Sequence, residues 1–167
     1  ASRASRLACE TIVNTVLLEA ESSGVSIDSL MPEALRKSVL DAHRALCQEI
    51  PSVRGREPAG STVVAAIIFE RSVWVAWSGD SRAYWLSNKP IEHQSRLITR
   101  DHSWANEALD RNEITEEEAR SHRLAHAITR CIGPLETHDL SGGLGPDVVQ
   151  FTVQEPGTLL LCSDGLW

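Results

Sequence analysis

The segment from Ser72 to Leu86 leaves few choices for the fold of this chain. It contains two runs rich in β-branched and aromatic residues, which the four residues 78–81 separate. Such runs favour strands, and Gly79 permits a tight reversal, so the segment predicts an antiparallel hairpin. Asp80 would then lie at the tip of a buried sheet, in a core that holds most of the Trp and Tyr residues of the chain: Trp74, Trp77, Tyr84 and Trp85.

A second acid follows another apolar segment near the end of the chain. The apolar run that starts at Gly157 has the composition of a buried strand, and it ends abruptly in Asp164 and Gly165. An Asp beside a Gly after a strand is common in turns, so each acid alone fits an ordinary turn. Two acids at the ends of two buried strands can instead converge on a divalent cation, which prefers hard oxygen ligands. The residues themselves leave both interpretations of Asp80 and Asp164 open.

Composition and charge indicate one globular domain of a mixed type. The chain has 167 residues, of which 42% are hydrophobic and 23% charged, so it can bury one sizeable core. Its net charge of −7 argues against a nucleic-acid-binding surface. No apolar run approaches membrane-spanning length. Four widely spaced cysteines are expected to be free thiols, which indicates a reducing, cytoplasmic location: Cys9, Cys47, Cys131 and Cys162.

Two amphipathic helices are predicted ahead of the strands. Apolar residues recur at intervals of three and four over about 3–22 and again over 32–50. Pro32 is expected in the first turn of the second helix, where a proline costs no hydrogen bond. A polar loop, 51–59, then leads to sheet strands that start from residue 60.

Several further strands are predicted along the chain. The continuous apolar run 63–69 indicates a strand with both faces covered, and a weaker edge strand is expected over 91–99. Residues 123–133 fit a strand or a passage from helix to strand. The glycine-rich stretch 135–146 is predicted to be a loop, and the alternation over 148–153 indicates another strand.

Two short helices are predicted between these strands. Asp101 or Ser103 can cap a helix that runs through residue 112. A capping box over 115–118 starts the second helix. His102 could serve as an acid or a base, but we favour the interpretation that it only joins the end of a strand to the start of a helix.

Four ordered motifs together resemble those of the protein phosphatase 2C family, in its bacterial branch. They are 78–84 (SGDSRAY), 97–103 (LITRDHS), 127–133 (AITRCIG) and 160–167 (LLCSDGLW). The resemblance implies an α+β fold, a four-layer α-β-β-α sandwich of antiparallel sheets, here partial and missing its N- and C-terminal strands. It also implies that about 101–125 forms a flap beside the active site.

The resemblance assigns roles to particular residues. Asp164 matches a metal-ligating acid of the family's central ion pair, and Asp80 matches a ligand of a further, weaker ion near the flap. Three more residues would lie close to the metals: His126, Gly79 and Gly165. The flap would bring three residues towards the substrate: Asp101, His102 and Ser103. His126 departs from a carboxylate at this position, and imidazole is a poor ligand for Mg²⁺.

The chemistry that the resemblance implies is metal-assisted hydrolysis of phosphoserine and phosphothreonine. The complete domain would use two or three Mg²⁺ or Mn²⁺ ions, which activate a water for attack on phosphorus. Its partner would be a phosphorylated protein, with neither nucleic acid nor membrane involved. The complete domain would be a monomer.

The family's other metal-ligating motifs are not in this sequence. We therefore expect residues 1–167 to form a single partial catalytic domain, cut at both ends and inactive alone. The alternative is a phosphatase-like regulatory or binding module that has lost catalysis and kept the scaffold. The presence of both Asp80 and Asp164 favours the enzyme.

Overall fold

The computed structural model describes residues 2–22, 26–50, 60–88, 95–134 and 145–166. Four helices lie in these ranges: α1 (Ser2–Ser22), α2 (Ile27–Glu49), α3 (Trp104–Asp110) and α4 (Glu116–Ser121). Six strands accompany them: β1 (Val63–Phe69), β2 (Ser72–Ser78), β3 (Arg82–Ser87), β4 (Arg96–Leu97), β5 (Asp147–Thr152) and β6 (Gly157–Cys162). The predicted loops over 51–59 and 135–144, and residues 91–94 of the predicted edge strand, lie outside the described residues.

The strands form two antiparallel sheets, in the orders β1-β2-β5 and β4-β3-β6. The predicted hairpin over 72–86 is therefore wrong, because β2 and β3 belong to different sheets. Both sides of β2 are already paired, with Val75 opposite Ala66 of β1 and Val149 of β5. Residues 78–81 do not reverse the chain within one sheet but carry it from the first sheet to the second.

Two apolar layers hold the molecule together. Helix α2 packs on the first sheet and α1 packs on α2, and Leu35, Leu46 and Trp74 are almost completely buried in this layer. Val73 and Ala83 belong to the second layer, which lies between the two sheets. These layers confirm the expected α+β class with two packed antiparallel sheets.

The aromatic residues near Asp80 do not form one cluster around it. Trp74 faces the helices, whereas Trp77 faces the layer between the sheets, because successive side chains of a strand point to opposite faces. The expectation of a single aromatic core around one acid is therefore wrong.

Two strands are less covered than their apolar sequences predict. Ile68 and Phe69 of β1 are 59% and 45% exposed, and Leu161 of β6 is 39% exposed. Within the described residues, both strands lie at the edge of their sheets. An apolar run predicts a strand but does not show how many neighbours will cover it.

The first helix agrees with the prediction, while α2 begins earlier than predicted. It starts at Ile27, where the Ser26 carbonyl accepts hydrogen bonds from the N–H groups of Ser29 and Leu30. Pro32 therefore lies in the second turn and not the first, and one helical hydrogen bond is missing there. None of the helices in the described ranges is long and apolar enough to cross a membrane.

The segment between α4 and β5 is less regular than predicted. Residues 123–133 form turns with two isolated bridges, Ser103 with Ile128 and Ser61 with Ile132, and no continuous strand. The predicted caps are confirmed: the Ser103 side chain accepts from the Asn106 N–H, and Thr115 forms the capping box of α4. The bridges attach this segment to the start of both α3 and β1, next to the crossover between the sheets.

Candidate metal centre

The crossover at 78–81 places Asp80 on the wall of a pocket of about 430 Å³. Gly79 has a φ of +110°, which only glycine adopts readily, and a Cβ there would lie 2.5 Å from Thr62 Cγ2. The pocket lies between the crossover and the flap helices. Its polar walls include Asp80, Arg82, Asp101, Ser103, Asn106, Glu116, Arg120 and His126.

Strand pairing brings Asp80 and Asp164 to the same end of the second sheet. Arg82 of β3 is opposite Cys162 of antiparallel β6. Asp80 lies two residues before Arg82 along the chain, and Asp164 lies two residues after Cys162, so both acids extend beyond the same end of this strand pair. Asp164 is exposed and is not part of the pocket wall that contains Asp80.

The electrostatic coupling of these acids agrees with that placement. Burial raises the pKa of Asp80, and the negative charges of Asp164 and Asp101 raise it further, against lowering by the Asp80 backbone N–H and the Arg82 charge. Carboxylates that repel one another in this way lose the repulsion when a cation binds between them.

The oxygen donors fit Mg²⁺ or Mn²⁺, but they form only part of a site. Both ions accept carboxylate oxygens, and Mg²⁺ commonly keeps several waters beside one or two carboxylates. Within the described ranges, no group of three or more His, Cys, Asp or Glu side chains is placed to hold a metal. Asp80 and Asp164 are thus the two candidate ligands that the fold brings to one edge.

Arg82 is a residue of the pocket to which the sequence analysis assigned no role. Its guanidinium donates from Nε to Asp101 Oδ1 at 2.9 Å and from Nη2 to Oδ2 at 2.7 Å. Only 21% of the Arg82 side chain and 12% of the Asp101 side chain are exposed, so the pair is shielded from water. The two-pronged contact raises the pKa of Arg82 and fastens the first residue of the flap to β3.

The three residues expected in the flap lie in different environments. Asp101 is held by Arg82, and its carbonyl accepts from Asn106 Nδ2 at 2.8 Å. Ser103 lines the pocket and caps α3. The His102 side chain is 6% exposed, stacks on Trp77 and is not part of the pocket wall.

The remaining predicted residues lie at different distances from the pocket. His126 is exposed and lines the same pocket as Asp80. Gly79 is buried directly behind Asp80. Gly165 is exposed, and a Cβ there would have nothing within 4 Å. The structure therefore brings His126 and Asp80 to one cavity, while Gly165 stays in the turn after β6.

Arg82 illustrates which signal the sequence contained and which it did not. An Arg two residues after the candidate ligand Asp80 was visible in the motif, but its partner Asp101 is 19 positions away along the chain. Only the fold shows that the two meet.

Comparison with known proteins relates the chain to phosphatases. The family model described as Protein phosphatase 2C matches residues 1–167. The serine/threonine phosphatase stp of Listeria monocytogenes serovar 1/2a is 35% identical over 132 residues, which are 79% of this chain and 48% of that protein. The chain spans about half the length of the curated relatives it matches.

Solved structures show the same fold. The serine/threonine phosphatase of S. agalactiae superimposes with a TM-score of 0.70 at 28% identity, over 98% of this chain and 63% of that one. The catalytic domain of the phosphatase PstP in complex with two manganese ions gives a TM-score of 0.63 at 20% identity, over 96% and 61% of the two chains. The family match over the full chain and the shared arrangement of sheets lead to one conclusion: this chain belongs to the protein phosphatase 2C family.

Proposed function

We propose that the protein containing this chain is a metal-dependent serine/threonine phosphatase that acts on phosphorylated proteins. The strand register that brings Asp80 and Asp164 to one sheet edge is the observation that carries this proposal. Family membership and the serine/threonine phosphatase stp, at 35% identity, support it.

Asp164 and Asp80 would hold the cations, with Mg²⁺ or Mn²⁺ as the chemical class. Manganese as one of these two ions is supported by the PstP catalytic domain, which shares this fold and was solved in complex with two manganese ions. When bound, the ions supply an activated water and neutralise charge on the phosphoryl oxygens. Asp80 presents its carboxylate to the pocket, and the Arg82–Asp101 pair keeps the flap beside it.

The proposal extends to the pocket between the crossover and the flap helices, which we call the flap pocket. Substrate residues beside the phosphate would bind there. Ser103, Asn106 and Arg120 offer hydrogen-bonding groups on its wall, next to apolar surface from Leu109 and Ile128. His126 would lie close to the ion at Asp80, where it can hydrogen-bond a metal-bound water.

The experiment measures phosphate release from a phosphothreonine peptide by the full-length protein, with Mn²⁺ and after chelation. We expect Asp164→Asn to lower kcat/KM by about a hundredfold, because a metal ligand supports several kcal/mol of transition-state stabilisation. Asp80→Asn should cause a smaller loss of about tenfold, since its ion is held by fewer protein groups.

Asp41→Asn on α2 is the matched control, since Asp41 pairs with Arg44 and is not part of the pocket wall. It should retain the wild-type rate. Turnover that survives chelation, or a wild-type rate in Asp164→Asn, would contradict the proposal. A full-length protein that binds phosphopeptide without turnover would favour the regulatory module.

A further inference from the structure

His102 is a buried histidine that touches the residue directly before Asp80. Its Nδ1 accepts a hydrogen bond from the Gly79 N–H at 3.1 Å, and its backbone N–H donates to the Gly79 carbonyl at 2.9 Å. The His102 carbonyl in turn accepts from the Thr129 N–H at 2.9 Å. Both polar backbone groups of Gly79 are thus held by one residue of the flap.

The contacts of the ring fix its tautomer. Because Nδ1 accepts from Gly79, the proton of the neutral ring is on Nε2. Nε2 lies 3.2 Å from Asp147 Oδ2, but the two groups are not aligned as a hydrogen bond. Arg130 donates to the other Asp147 oxygen at 3.1 Å. Burial lowers the pKa of His102, so the ring keeps its Nδ1 lone pair at neutral pH.

The ring is also locked by packing. It stacks on Trp77, with ring centroids 6.0 Å apart and planes inclined by 19°. The Trp77 Nε1–H donates to the Arg100 carbonyl at 2.8 Å, which ties the stack to the segment that enters the flap. His102 therefore has little freedom to move away from Gly79.

We propose that His102 is a positioning residue for Asp80. By accepting from the Gly79 N–H, the imidazole holds Gly79 at positive φ, and this conformation directs the Asp80 carboxylate into the flap pocket. Without the acceptor, the Gly79 N–H is buried and unpaired, and the Ser78–Gly79 peptide that carries it rotates to find a partner, which changes the φ of Gly79 and so the direction of Asp80. The inference rests on the proposed role of Asp80 as a cation ligand.

The experiment compares Mn²⁺ binding by the full-length protein in three variants, using isothermal titration calorimetry. His102→Phe keeps a ring against Trp77 and removes the acceptor. His102→Asn places an amide oxygen at the position of Nδ1 and retains the acceptor. Asp80→Asn identifies which binding phase belongs to the flap pocket. Amide hydrogen exchange at Gly79 and the thermal midpoint are measured on the same samples.

Asp80→Asn should abolish the Mn²⁺-binding phase that belongs to the flap pocket. We expect His102→Phe to weaken the same phase by about tenfold, as is usual for residues that orient a metal ligand. The Gly79 amide should exchange faster in the same variant. His102→Asn should stay within about threefold of the wild-type affinity and keep Gly79 protected. A histidine that only stabilised the fold would change the thermal midpoint, and the Mn²⁺ affinities of His102→Phe and His102→Asn would then not differ.

Each other outcome contradicts the inference in a recognisable way. If Asp80→Asn leaves Mn²⁺ binding unchanged, both the ligand role of Asp80 and the inference fail. If Asp80→Asn weakens binding and His102→Phe does not, the inference alone fails. If His102→Phe does not fold, His102→Asn still decides, because a tenfold loss of affinity in that variant overturns the role of the acceptor.

Discussion

Gly79 shows how one residue can decide the direction of its neighbour. It occupies a conformation that side chains disfavour, it is buried, and it precedes the acid that lines the pocket. The space behind it is filled by Thr62, whose hydroxyl hydrogen-bonds with Ser81 at 2.9 Å. The crossover is therefore closely packed against Thr62.

Gly79→Ala should lower the free energy of unfolding by about 2 kcal/mol or more, because the new Cβ adds a clash with Thr62 to the strained backbone. Gly165→Ala is the matched control, since a Cβ at Gly165 meets nothing within 4 Å. It should stay within about 0.5 kcal/mol of wild type. Urea denaturation of the two variants measures both values, and equal stability would contradict this account of the crossover.

At the scale of single residues, the sequence identified the candidate ligands but not the contacts that position them. Asp80 and Asp164 could be found because each stands in a short motif beside a strand. The contacts of Gly79 with His102 and of Arg82 with Asp101 could not be found, since they join residues 23 and 19 positions apart. No local pattern records which distant side chain supplies an acceptor.

Helix α4 shows how completely a local pattern can specify an element. Thr115 accepts from the Glu118 N–H, and the Glu118 carboxylate accepts from both the N–H and the hydroxyl of Thr115. Both halves of this capping box lie within four residues, so the sequence alone predicts it.

The stability of α4 should depend on pH through Glu118. The hydrogen bonds from Thr115 hold the pKa of Glu118 below its ordinary value of 4.5 in the folded state. The stabilisation of α4 by the ionised Glu118 is therefore complete at pH values above its ordinary pKa. It is lost as the pH falls through the lower pKa of the folded state. Hydrogen-exchange protection of the α4 amides should decline over this acidic range.

Glu118→Gln should remove this pH dependence, because the amide does not titrate. Glu117→Gln is the control, since Glu117 is an exposed acid of the same first turn and lies outside the capping box. It should retain the acidic decline. Identical pH profiles for Glu118→Gln and the wild type would contradict the role of the capping box.

The sequence correctly predicted that β2 and β3 are strands, but it did not predict which strands pair with each other. The runs over β2 and β3 were identified because β-branched and aromatic residues favour extended backbone. The short connection between them suggested a hairpin, yet β2 pairs with β1 and β5. Composition reports the local conformation, whereas strand pairing depends on which other strands compete for the same edge.

At the scale of the whole molecule, stability depends on the helical layer that covers the first sheet. Leu46 of α2 has no exposed surface and belongs to the apolar layer that contains Trp74. Leu17 of α1 is 55% exposed. Two leucines on neighbouring helices thus differ strongly in burial.

Leu46→Ala should lower the free energy of unfolding by about 2–5 kcal/mol, since it removes buried methyl groups and leaves a cavity. Leu17→Ala should change it by less than about 1 kcal/mol. Thermal or urea unfolding checks both values. A small effect at Leu46 would show that the helices contribute little to the stability of the sheets.

The crossover between the sheets has a mechanical consequence for the pocket. Ser78 is the last residue of β2 and Arg82 is the first residue of β3, so Asp80 belongs to a short connection between the two sheets. Any sliding of one sheet against the other must shift its carboxylate. Substitution of small side chains in the layer between the sheets, such as the fully buried Ala83, should therefore change the cation affinity although no ligand is replaced.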